Sequence, residues 1–147
     1  MIRAALRTLL ALALWPSAFA TLAPGALEVS GSWVRETPPN RTVAAGYLVL
    51  RNGGETAATL VGAESAAARI ELHTMLREDG MMRMRPMEQL VIPAGESAAL
   101  APGGDHLMLF DVDATRAGTV IEVELLFDDG ARLPVALPVR RQAPEGD

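Results

Sequence analysis

The chain reads as a single all-β domain, and three features of the sequence predict it. Apolar residues recur at every second position over short runs, Gly, Pro, Asn and Asp interrupt those runs at close intervals, and amphipathic periods long enough for a helix are missing. About eight strands at this spacing fit a two-layer β-sandwich or a closed Greek-key β-barrel. Either architecture is silent about function, which has to be read from particular side chains.

The first twenty residues stand apart from this pattern. Arg3 and Arg7 make a positive start, Leu9 to Trp15 an apolar run, and Ala18-Phe19-Ala20 a small-x-small cleavage site, so residues 1–20 read as a signal peptide cut after Ala20. The apolar run is shorter than the roughly 20 residues a spanning helix needs, and an exported protein with no membrane insertion of the mature chain is expected. The 127 residues that remain suit one core. Removing the leader takes Arg3 and Arg7 from the 13 basic residues and none of the 18 acidic ones, leaving a formal charge of −7. Such a surface argues against nucleic acid and anionic membrane as partners. The chain has no cysteine, which excludes a disulfide framework, thiol redox chemistry and a lipidated cysteine within this sequence.

In order, Leu27 to Arg35 carries Val29, Trp33 and Val34 as a first strand, broken by Thr37-Pro38-Pro39-Asn40. Ala45 to Arg51 is a second, ending at Asn52-Gly53-Gly54, and Ala57 to Ala63 a third. Ala66-Ala67-Ala68 has the composition of one helical turn. Arg69 to Leu76 follows, then a Glu78-Asp79-Gly80 hairpin turn and a strand that Pro86 cuts short. Leu90 to Ile92 and Ser97 to Ala101, joined by Pro93-Ala94-Gly95, read as another hairpin. Pro102-Gly103-Gly104-Asp105 leads into His106 to Val112, and the sheet closes with a hairpin of Val120 to Phe127 and Arg132 to Val139. The domain is therefore placed at 21–139, with 140–147 a polar tail.

The segment from His73 to Met108 holds both histidines and every methionine except the initiator. The strand period of two tests whether they can meet. Arg69 to Leu76 puts Ile70, Leu72 and Leu76 on one face and Glu71, His73 and Met75 on the other; Met82 and Met84 share a face of the next strand. In the strand from His106, the residues His106, Met108 and Phe110 face away from Leu107 and Leu109. His106 and Met108 thus project the same way, as a chelate requires. Met84 has to arrive from a third strand.

These donors select a metal. Thioether sulfur is a poor ligand for Mg²⁺ and Ca²⁺, imidazole serves Zn, Cu, Ni and Fe, and the two preferences overlap at copper, with Cu(I) the softer state. Methionine keeps its donor where a thiol would oxidise. His73, Met84, His106 and Met108 are the candidate ligands; Met81, Met82 and Met87 read as core filler or contact surface, and Met75 stays open between filler and extra donor. Glu71, Asp105 and Asp111 are near enough in sequence to accept a hydrogen bond from a ligating ring. A blue-copper electron carrier would need a cysteine ligand, which the chain lacks. An enzyme is not expected, because no HExxH spacing, phosphate loop or Ser/His/Asp arrangement is present.

The spacing His73, ten residues, Met84, twenty-one residues, His106, one residue, Met108 resembles the signature of the periplasmic copper-chaperone family PCuAC. Trp33-Val34-Arg35, Ala45-Gly46-Tyr47 before Asn52-Gly53, Met84-Arg85-Pro86-Met87 and Pro93-Ala94-Gly95 agree with it, and the likeness extends over Leu27 to Val139. The resemblance implies a cupredoxin-like Greek-key β-sandwich or barrel that binds one Cu(I) and helps load the CuA site of cytochrome c oxidase subunit II, with a Sco-type thioredoxin-like protein as co-worker. Thr74 stands where family members can carry a methionine directly after the first histidine. The tail lacks the His and Met that accompany Cu(II) binding in some members, so that capacity is not expected. A monomer is expected. The competing readings are a metal-free exported sandwich that binds a protein through a Met-rich face, and copper scavenging or storage without delivery to the oxidase.

Overall fold

The computed structural model describes residues 26–112 and 115–144, so the expected leader and the last three residues of the expected tail lie outside it. The described residues form ten strands and no helix: β1 (Leu27–Arg35), β2 (Val43–Asn52), β3 (Ala58–Glu64), β4 (Arg69–Glu78), β5 (Met81–Pro86), β6 (Leu90–Ile92), β7 (Ser97–Leu100), β8 (His106–Phe110), β9 (Val120–Phe127) and β10 (Arg132–Arg140). Ala66 and Ala67 make a bend where a helical turn was expected. The Ser65 hydroxyl accepts the Ala67 N–H at 3.2 Å and donates to the Glu122 carbonyl at 2.7 Å, offering the backbone a local partner that competes with helix.

The strands follow the path β5-β4-β8-β2-β1-β10-β9-β3-β6, with β7 added to β2. The path folds into two layers, one of β1, β2, β4, β5, β7 and β8, the other of β3, β6, β9 and β10. The seam is a short parallel pairing of β1 with β10, Val34 opposite Val139 and Arg35 opposite Arg140. Arg140 is therefore part of a strand, not of the tail. Between the layers lie Leu48, Leu60, Ile92, Leu107, Leu109, Leu125 and Leu137, all buried. Each such side chain contributes about 1.5–3 kcal/mol by leaving water.

The expected β6/β7 hairpin does not form. β6 pairs with β3, with Thr59 opposite Val91, and β7 pairs with β2, with Val49 opposite Ala99, so the Pro93–Glu96 turn crosses between layers. Proline and glycine reverse the chain there, but burial decides which sheet each strand joins: Ile92 and Leu100 both point into the core. Asn52 ties the crossover down from inside. Its side-chain amide donates to the carbonyls of Thr56 (2.8 Å) and Ile92 (3.0 Å) and accepts from Gly54 N–H (2.9 Å), and its backbone N–H donates to Glu96 (2.8 Å).

Close packing under β8 depends on Gly46, opposite Leu107 in β2. A Cβ at Gly46 would sit 3.2 Å from Leu109 Cδ1 and 3.5 Å from Leu107 Cβ, so only glycine lets these leucines lie against β2 undisturbed. With Leu107 and Leu109 locked inward, the alternation of β8 turns His106, Met108 and Phe110 to the opposite face.

Candidate metal centre

A two-residue turn sets the position of Met84. Asp79 and Gly80 both have positive φ (51° and 80°), the requirement of a type I′ hairpin, and aspartate followed by glycine suits it. The turn fixes the β4/β5 register, placing Met82 opposite Arg77, Met84 opposite Met75 and Pro86 opposite His73. Pro86 ends β5 at the sheet edge, where a missing N–H costs nothing. On the other side of β4, burial of Leu72 and Leu107 sets the pairing with β8, and His73 falls directly opposite His106, Glu71 opposite Met108. The ring centroids of the two histidines are 6.0 Å apart. Three strands thus carry the four candidate ligands to neighbouring positions on one sheet face.

Both histidines are buried, and their hydrogen bonds leave one nitrogen free on each. His73 Nε2 is 2.9 Å from Glu71 Oε2, and His106 Nδ1 is 2.9 Å from the Gly104 carbonyl oxygen. A carboxylate and a carbonyl can only accept, so the protons sit on His73 Nε2 and His106 Nδ1. His73 Nδ1 and His106 Nε2 are left as buried lone pairs with no partner. An unpaired buried polar atom costs about 1–3 kcal/mol, and a metal ion is a partner that would relieve that cost. The residues present therefore fit a bound metal.

His106 opens onto a cavity of about 370 Å³ that Met75, Met84 and Met108 also line, with Arg35, Pro38 and Tyr47 among the other walls. His73, buried opposite His106, is not among the lining residues. Met84 lines the cavity and is itself 42 % exposed. Tyr47 in that wall is backed by Trp33, with ring centroids 4.8 Å apart, and Arg35, also in the wall, lies over Trp33 at 5.7 Å. A larger cleft of about 700 Å³, lined by residues such as Glu64, Arg69 and Glu122, holds neither histidine nor methionine and offers no such donor set.

Among the described residues no three His, Asp or Glu side chains converge to hold a metal, so the hard or zinc-type sites they would build are not provided there. The site offers instead two ring nitrogens without partners, on histidines that face each other, and thioethers around the cavity beside them, a soft donor set suited to a monovalent ion such as Cu(I).

Of the three acids considered from sequence, Glu71 bonds His73 and also pairs with Arg69. The bond from His73, and then Arg69, hold its carboxyl below the ordinary range, against opposing desolvation. Asp111 lies 3.8 Å from Arg69, and Asp105 contributes its backbone carbonyl to Ala101. The partner of His106 is the Gly104 carbonyl, which no residue pattern could have announced, since every residue has one. The place of Tyr47 in the cavity wall, with Trp33 behind it, was likewise missed, although both stand out in a chain with few aromatics.

The family described as "Putative lipoprotein LpqE-like" matches the chain over residues 27–139. A relative named "Putative lipoprotein Lxx21020", from Leifsonia xyli subsp. xyli (strain CTCB07), is 39% identical over 117 residues, which cover 78% of this chain and 69% of its own. Among solved structures, the copper-bound PCuAC domain from PmoF2 superposes with a TM-score of 0.66 at 23% identity, covering 84% of this chain and 97% of its own. The Cu(I) form of DR1885 from Deinococcus radiodurans gives 0.64 at 31% identity, covering 84% and 83%, and apo-DR1885 gives 0.62 at 29% identity, covering 97% of each. The chain belongs to the LpqE-like family, and its fold is the cupredoxin-like β-sandwich of the PCuAC domains.

Proposed function

We propose that this protein is an exported copper carrier that binds one Cu(I) through His73, Met84, His106 and Met108 and passes it to a recipient. The observation that carries this reading is the pair of buried imidazole nitrogens without partners beside a cavity lined by thioethers. The Cu(I) form of DR1885, at 31% identity, supports copper as the ion. Neutral donors leave the charge on the ion uncompensated, so transfer onto an anionic thiolate is favourable. Met84, the most exposed of the four, is placed to be the first ligand exchanged.

In the finer form of the proposal the compartment is the periplasm, the leader is cleaved after Ala20, and the recipient is the CuA site of cytochrome c oxidase subunit II, with a Sco-type thioredoxin-like protein in the same route. The support is the ligand spacing and the leader-like residues 1–20. Among the described residues no helix is long and apolar enough to cross a membrane. Two experiments test the two levels. Anaerobic titration against a Cu(I) chelator should give one bound ion, lost on His106→Ala/Met108→Ala; an unchanged stoichiometry in that variant removes the site. Deletion of the gene under low copper should deplete CuA, restored by the native chain but not by the double variant. Normal CuA loading in the deletion leaves scavenging or storage as the role.

The Met-rich docking reading has one observation in its favour: Met81 and Met82 on edge strand β5 are 57 % and 53 % exposed. A mass spectrum of the protein with one equivalent of Cu(I) decides between the two. A metal-free spectrum would favour docking.

A further inference from the structure

The two histidines are held by unlike partners. His106 donates to a neutral backbone carbonyl, whereas His73 donates to a carboxylate that also pairs with Arg69. Glu71 is two residues before His73 and so shares its face of β4. Arg69 pairs with the far oxygen of Glu71, lies over the Phe110 ring at 4.2 Å and approaches Asp111 at 3.8 Å. Phe110 in turn stands 6.1 Å from the His73 ring. These contacts bias where the Glu71 carboxylate sits, and the buried imidazole turns its Nε2–H toward it. A ring flip that sent Nε2 inward would break the 2.9 Å bond and set a C–H against Glu71.

We propose that Glu71 is the positioning residue of this centre: it turns His73 so that Nδ1 is the metal-binding nitrogen, while His106 binds through Nε2. This rests on the reading of the site as a Cu(I) centre and adds to it an unsymmetrical pair of imidazole donors. A ring whose N–H is hydrogen-bonded to an anion is the more basic ligand. His73, buried and backed by Glu71, is therefore the anchor of the ion. His106, Met84 and Met108 form its exchangeable side.

The test begins with the metal-free protein labelled with nitrogen-15 at histidine, whose spectra report which ring nitrogen carries the proton. His73 should show Nε2–H and His106 Nδ1–H. Silver(I), a soft monovalent probe with a nuclear spin, should then couple to His73 Nδ1 and His106 Nε2. Glu71→Ala should lower the Nε2–H population at His73, leave the His106 signals in place and weaken Cu(I) binding by about 10- to 100-fold. Glu71→Gln, which keeps an acceptor oxygen, should recover part of that loss. A carboxylate with only a structural role would not move the proton on His73.

Silver coupling to His73 Nε2, or a Glu71→Ala variant with an unchanged His73 tautomer, overturns the proposal while leaving the copper site standing. If neither silver nor Cu(I) binds the native chain, the copper reading falls and the proposal falls with it. The tautomer measurement on the native chain needs no variant, so a poorly folding Glu71→Ala cannot shield the idea.

Discussion

Replacing His106 by leucine should make the metal-free protein more stable and the Cu(I)-loaded protein less so. In the native chain without metal, His106 Nε2 is buried and unpaired, while Nδ1–H donates to Gly104 at 2.9 Å. Leucine removes the unpaired atom, worth about 1–3 kcal/mol, and forfeits one hydrogen bond, worth about 0.5–1.5 kcal/mol. Gly104 is half-buried, so water can take over its carbonyl. The balance is about 1 kcal/mol in favour of the variant, or roughly 4 °C in Tm for a domain of this size. Copper reverses the order. Free ion at a hundred times Kd stabilises the native chain by about 2.7 kcal/mol, and the variant, short of a ligand, gains much less. Anaerobic thermal denaturation of both proteins, with and without one equivalent of Cu(I), measures all four values. A metal-free variant destabilised by about 1 kcal/mol or more would show that Nε2 is satisfied in the native protein, and an equal rise in Tm with copper would show that it is not a ligand.

Other expectations follow from the same geometry. Asn52→Ala removes three side-chain hydrogen bonds, one of them to the buried Ile92 carbonyl, and should cost about 2–4 kcal/mol, seen as a lower urea midpoint with an unchanged slope; a cost below about 1 kcal/mol would mean the crossover is held by apolar burial alone. Mild peroxide should oxidise the exposed Met81, Met82 and Met84 ahead of Met108, and peptide mapping should show Cu(I) retention declining with Met84 sulfoxide; full retention with Met84 oxidised would remove it from the ligand set. Glu36 accepts hydrogen bonds from Ala117 N–H and Arg141, which hold its carboxyl below the ordinary glutamate range. A depressed folded-state value contributes stability above the unfolded-state value and loses it as pH falls through the folded one. The stability gap between native protein and Glu36→Gln should therefore be open at neutral pH and close in acid; a gap constant with pH would mean the carboxylate charge plays no part.

Which candidate ligands share a face was legible in the sequence because β-strands have a period of two. The alternation in His106–Leu107–Met108–Leu109 tells which side chains share a face, and the Asp79-Gly80 turn, by demanding positive φ twice, sets the register that brings Met84 opposite Met75. Strand partners were less legible. Pro93-Ala94-Gly95 has the composition of a hairpin turn, yet β6 and β7 end in different layers, because a turn signal reports only a change of direction. The choice of layer depends on burying Ile92 and Leu100 against residues far along the chain. Ala66 to Ala68 failed for a different reason: the Ser65 hydroxyl captures the Ala67 N–H, a local competition that alanine's helix propensity does not report.

From its residues alone, this chain determines an all-β domain and a soft donor set of two imidazoles and two thioethers at fixed spacing, because side-chain alternation and donor chemistry are local properties. Tertiary structure alone decided that His73 faces His106 across a strand pair, that Met84 lines the same cavity as Met108, and which nitrogen of each ring is left without a partner. Those outcomes depend on register and burial. Both are set by which leucines of distant strands close the core, and no short stretch of sequence contains that information.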